Sequence, residues 1–114
     1  MPYLTMSKKN IENLTRRAAV SEKSIERYLV KSVQALGGLC LKFASSTETG
    51  YPDRLVILPG GMACWVELKS KGYVPTRLQD IRHAELRSRG MTVYVVDSRE
   101  RVDELTERWK GGRL

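Results

Sequence analysis

Apolar residues recur at helical spacing after Ser21, at Ile25, Leu29, Val33 and Leu36, and Gly37-Gly38 closes the pattern. The spacing predicts a helix with Ser21 as its N-cap. Leu39 to Ala44 reads as a short strand, and Ser45 to Tyr51 as a loop by its composition. Two further strands, Arg54 to Leu58 and Met62 to Lys69, flank the turn Pro59-Gly60-Gly61. The second alternates: Met62, Cys64, Val66 and Leu68 form one face, Ala63, Trp65, Glu67 and Lys69 the other. Thr76 opens a second helix that ends at Gly90, with Leu78, Ile81, Ala84 and Leu86 expected to face inward. Met91 to Val96 is a β-branched, aromatic strand. Asp97-Ser98 then caps a last helix containing Val102, Leu105 and Trp109. The order αβββαβα, with a crossover helix after three consecutive strands, implies an α/β fold: a mixed four-stranded sheet flanked by helices on both faces.

Residues 1–20 show no such period and carry Lys8, Lys9, Arg16 and Arg17. They read as a basic N-terminal arm, flexible or loosely helical, ahead of a domain spanning 21–114. At 114 residues, with 41% hydrophobic and 29% charged positions, the chain fits one globular domain. No apolar run approaches the ~18 residues of a membrane span, and the N-terminus lacks the apolar centre of a signal peptide. A cytoplasmic protein without membrane attachment is expected. Cys40 and Cys64 each sit inside an apolar run, which argues for core thiols and against a zinc site. The net charge of +7 points to a polyanionic partner, nucleic acid being the usual one.

The candidate chemistry lies between Pro52 and Lys69. Glu67 and Lys69 project from one face of their strand, while Val66 and Leu68 point the other way. Asp53 joins them only in a suitable hairpin register. A two-residue turn at Gly60-Gly61 would place Arg54 opposite Glu67 and put Asp53 on the wrong face. A three-residue connection, Gly60-Gly61-Met62, would place Leu55 opposite Glu67 and Asp53 opposite Lys69, so that all three share a face. Two adjacent carboxylates call for a cation between them, and hard oxygen ligands suit Mg²⁺ or Mn²⁺. A neighbouring lysine can stabilise charge that builds on a phosphate. Together these imply metal-assisted hydrolysis of a phosphodiester. A third carboxylate is available on the first helix. Glu26 falls roughly 65° from the centre of the apolar stripe on an ideal helix, and Glu22, one turn earlier, competes with it.

Ile25-Glu26-Arg27-Tyr28-Leu29, Gly50-Tyr51-Pro52-Asp53-Arg54, Val66-Glu67-Leu68-Lys69 and Gln79, in that order, resemble the VRR-NUC domain, a branch of the PD-(D/E)xK nuclease superfamily. The likeness covers about Ser21 to Trp109. It implies a restriction-endonuclease-like fold and a divalent-metal-dependent, structure-selective DNA endonuclease of the stand-alone phage or bacterial type. It further implies that Asp53, Glu67 and the main-chain carbonyl of Leu68 hold the metal, with Glu26 binding directly or through water. Lys69 would position the nucleophile, and Gln79 would orient water or Lys69. Small stand-alone members resemble Holliday-junction resolvases and tend to form two-fold dimers, so a homodimer is expected on branched or duplex DNA.

Competing readings accompany these assignments. Thr76-Arg77-Leu78-Gln79 also fits a capping box, in which Gln79 serves the helix end. His83 reads as a mid-helix residue without a chemical role, and Trp65 as packing beneath the first helix. Val102, Leu105, Trp109 and Tyr94 are the apolar residues available to a dimer contact, or else to the core. Arg54, Lys71 and Arg77 flank the site and, with the cations of the arm, are candidates for phosphate contact. The alternatives to a DNA endonuclease of this type are a non-catalytic or weakly catalytic DNA-binding module and a nuclease acting on RNA or single-stranded nucleic acid.

Overall fold

Residues 7–114 are described by a computed structural model. Three helices and four strands appear in the expected order: α1 (Lys8–Ala35), β1 (Leu39–Lys42), β2 (Arg54–Ile57), β3 (Ala63–Leu68), α2 (Arg77–Ser88), β4 (Thr92–Val96) and α3 (Arg99–Lys110). The sheet order is β1-β2-β3-β4. The first three strands run antiparallel, and β4 joins β3 in parallel. The α2 crossover makes that last pairing possible.

The first helix starts earlier than its apolar period. Ser7 is the N-cap, accepting from the Asn10 N–H at 3.2 Å, so Ser21 lies inside α1. Of the expected arm, residues 8–20 are helical and continuous with the core helix, and 1–6 lie outside the described residues. Ile11, Leu14 and Val20 are exposed there. No burial marks these turns in the sequence, which is why the period begins only where α1 meets the sheet. The helix stops as expected: Gly37 adopts φ 80° and donates to the Gln34 carbonyl at 2.9 Å.

One face of the sheet carries the core. Ile25, Leu29 and Val33 of α1 and Val102, Leu105 and Trp109 of α3 close over Val56, Cys64, Val66, Leu68 and Val96. Val102, Leu105 and Trp109 are therefore consumed inside the monomer, and Tyr94 packs against the same cluster. Those three buried residues are not a surface for a second copy. Trp65 points to the opposite face, away from α1, where its ring meets Phe43 edge-on at 5.0 Å. Helix α2 covers part of that second face. It turns in His83, its only buried residue, while Leu78, Ile81 and Ala84 are exposed. No described helix is long and apolar enough to cross a membrane.

Candidate active site

The β2–β3 hairpin sets the site. Arg54 pairs with Val66 and Ile57 with Ala63, and the Leu58 N–H donates to the Met62 carbonyl at 2.7 Å. The connection is thus three residues long, but they are Pro59-Gly60-Gly61, with φ 85° at Gly60 and 82° at Gly61. This moves the register two positions from the expected one and preserves its parity. Asp53, just before β2, falls opposite Glu67, and both share a face with Lys69. Oδ2 of Asp53 accepts from the Leu68 N–H at 2.8 Å, which ties the end of β3 to the start of β2.

Glu67 is not solvent-facing as its alternation suggests; it is 2% exposed. Burial pushes its carboxyl up to about 9, and a shared hydrogen bond with Asp53 and the Asp53 charge add to the rise. Lys69 Nζ lies 4.0 Å from Glu67 Oε2. Oε1 has no hydrogen-bond partner among the described residues. Two neighbouring carboxyls, one of them buried with an orphaned oxygen, form a donor set suited to a hard divalent cation. Among the described residues no three His, Cys, Asp or Glu side chains are drawn together as a cage.

Beside Asp53 a cavity of about 270 Å³ opens against α1, lined by Glu22, Lys23, Glu26, Lys42 and Phe43. The two helix carboxylates differ in partners. Glu26 Oε2 accepts from Arg54 Nε at 3.1 Å, and Lys23 stands 3.9 Å from Oε1. Glu22 is turned toward the site: burial first, then the Asp53 charge, raises its carboxyl, and Lys69 opposes the rise. The sequence held a signal for this. Glu22 lies three residues before Ile25 and seven before Leu29, within the buried stripe itself, where a carboxylate is costly without a partner.

The other expected residues fall in different places. Gln79 Oε1 accepts from the Thr76 N–H at 2.9 Å, completing the capping box at the start of α2. Arg54 is turned inward, to Glu26 and, at 3.0 Å, to the Cys40 carbonyl. Lys8, Lys9, Arg16, Arg17, Lys71 and Arg77 are exposed, and no ion pair holds them among the described residues. His83 is the residue that sequence reasoning passed over. It is 1% exposed, with Nε2 3.6 Å from Glu67 Oε1. Burial lowers its imidazole from the ordinary value, and the Arg87 charge lowers it further, so the ring is neutral at pH 7.

No family model matches the chain. A curated relative described as "Putative nuclease p44", from Acyrthosiphon pisum secondary endosymbiont phage 1, is 44% identical over 81 residues, which is 71% of this chain and 87% of the relative. A solved structure described as a VRR_NUC domain superposes with a TM-score of 0.74 at 38% identity, over 78% of this chain and 97% of that one.

Proposed function

The chain belongs to the VRR-NUC family of nucleases, and from that premise we propose that it is a divalent-metal-dependent DNA endonuclease whose cleavage centre is Asp53, Glu67 and Lys69. The observation that supports this most directly is the carboxyl of Glu67, buried beside the half-buried Asp53: it is pushed up to about 9, with a lysine 4.0 Å away. An arrangement so costly to ionise in the bare protein is relieved by a cation.

Asp53, Glu67 and the Leu68 carbonyl would hold Mg²⁺ or Mn²⁺, and Glu22 is the α1 carboxylate that faces them. The bound ion would supply positive charge to the scissile phosphate and acidify water. Lys69 holds its ammonium group beside Glu67, where it can orient the attacking water and offset charge on the phosphate oxygens. Attack by water oxygen on phosphorus breaks the P–O3′ bond. The products are a 5′-phosphate and a 3′-hydroxyl, the latter protonated from solvent. The exposed cations of α1, with Lys71 and Arg77, would meet the DNA backbone.

Branched-DNA selectivity and resolution of four-way junctions belong to this reading. Paired incision would take two copies, joined through residues other than the buried Val102, Leu105 and Trp109. The test is incubation with branched, nicked, linear and single-stranded DNA in Mg²⁺, Mn²⁺ or EDTA. Cleavage supported by either metal and abolished by EDTA is expected. Metal-independent cleavage would remove the cation from the reading, and binding without any cleavage would leave a DNA-binding module.

A further inference from the structure

Helix α2 buries a single residue, and that residue is a histidine. Leu78 and Ile81 are 41% and 46% exposed, so apolar burial does not decide which side of α2 faces the sheet. His83 Nε2 stands 3.6 Å from Oε1 of Glu67, and neither atom has a hydrogen-bond partner among the described residues. Unpartnered buried polar atoms are rare. These two face each other, and closing to about 3.0 Å would join them. A leucine would fill the same space without burying a second polar atom. The two oxygens of Glu67 also have separate neighbours, Oε1 toward His83 and Oε2 toward Lys69.

We propose that His83 is a positioning residue for Glu67: its Nε2–H donates to Oε1 and leaves Oε2, the oxygen beside Lys69, for the cation. The inference rests on the reading that Glu67 holds that cation. A histidine in this role acts behind a carboxylate ligand, fixing its rotamer as outer partners of metal ligands do. It also assigns α2 a task that its exposed apolar residues do not explain, namely carrying one donor to the back of the site.

Two measurements test it. His83 is the only histidine of the chain, so nitrogen-15 NMR of the imidazole reports on it alone. The Nε2–H tautomer is expected, with its proton protected from exchange and the protection lost in Glu67→Ala. A ring protonated at Nδ1 instead would overturn the proposal whether or not metal binds. The second measurement is Mn²⁺ affinity without DNA, by calorimetry, in the full chain. His83→Phe should weaken binding about tenfold or more, the range for lost outer partners, and lower kcat with KM unchanged. His83→Gln, whose amide nitrogen reaches the Nε2 position, should restore both to within severalfold, while His83→Asn should not. If the Phe variant fails to fold, the Gln and Asn variants decide between them. Equal affinity in those two would overturn the proposal. No Mn²⁺ binding by the unaltered protein would instead refute the cation reading, and this inference with it.

Discussion

Asp53 reaches across the hairpin to the backbone of Leu68: Oδ2 accepts the Leu68 N–H at 2.8 Å. The bond has two consequences. It fixes the carboxylate opposite Glu67, and it satisfies a donor at the end of β3, where the strand leaves its antiparallel partner.

Asp53→Ala, Glu67→Ala and Lys69→Ala should each lower cleavage at saturating metal by about 100-fold or more, the scale for removing a group that stabilises the transition state. They should differ in stability. Asp53→Ala also strands the Leu68 N–H and should cost about 1–3 kcal/mol, whereas Asp53→Asn keeps an acceptor and should melt close to the unaltered protein. Urea denaturation beside a cleavage assay separates the two effects. Ordinary turnover by any one of the three alanine variants would exclude that residue from the mechanism.

The helix carboxylates give a second contrast. Glu26 is held by Arg54 at 3.1 Å, and Glu22 faces Asp53 and Lys69. Glu22→Gln should therefore reduce cleavage more than Glu26→Gln, while Glu26→Gln should cost more stability by leaving the half-buried Arg54 without its counter-charge. Single-turnover rates and thermal melts on both variants check the order. The reverse order in cleavage would return Glu26 to the site.

The metal-free protein should lose stability as pH rises. Glu67 titrates near 9 in the folded state and near 4.5 in its ordinary state. Between those values the folded chain keeps a proton that the unfolded chain has released, so ionisation pulls the equilibrium toward unfolding. The stabilisation is complete below pH 4.5 and is lost on the way to 9, at no more than about 1.4 kcal/mol per pH unit. Melting in EDTA across that window should show the decline, and Glu67→Gln should flatten it. Added Mn²⁺ should reverse it, because a cation favours the ionised carboxyl. A flat profile for the metal-free protein would mean that Glu67 is already ionised in the fold.

Much of this was legible in the chain. The core face of α1, the alternation of β3 and the order αβββαβα all follow from periodicity, because one face of each element is dry. The hairpin register was not legible. Leu55-Val56-Ile57-Leu58 is apolar on both faces, so alternation left the two-residue turn and the three-residue connection both open, and the choice lies in turn geometry. The burial of Glu67 and His83 was not legible. Alternation identifies a strand's second face without saying what lands on it, and α2 lands there with its apolar residues turned outward. The Ser21 cap failed for a related reason. A capping side chain is a local signal, and Arg16-Arg17-Ala18-Ala19 is good helix former that lets α1 run through it.

The final prediction concerns the early turns of α1. Lys8, Lys9, Arg16 and Arg17 are exposed on a helix that joins the body beside the site. The Ala18 carbonyl accepts the Ser70 hydroxyl, and Ala19 lines the cavity with Asp53. Deleting residues 1–19 would therefore disturb the site as well as remove charge. Replacing the four cations by Gln is the cleaner experiment, since it leaves the helix and the Ser70 contact in place. Each cation that meets a phosphate displaces counterions, so log Kd should change with log salt by about 0.9 per contact. Losing all four contacts should lower the slope by at most about 3.6. Binding isotherms between roughly 50 and 200 mM salt, the range in which such contacts weaken most visibly, measure that slope. Single-turnover cleavage at saturating DNA should hold its rate, because the substituted residues lie outside the Asp53, Glu67 and Lys69 cluster. An unchanged slope would mean that these turns of α1 do not touch DNA. A collapsed single-turnover rate with the fold intact would place them in the cleavage site itself.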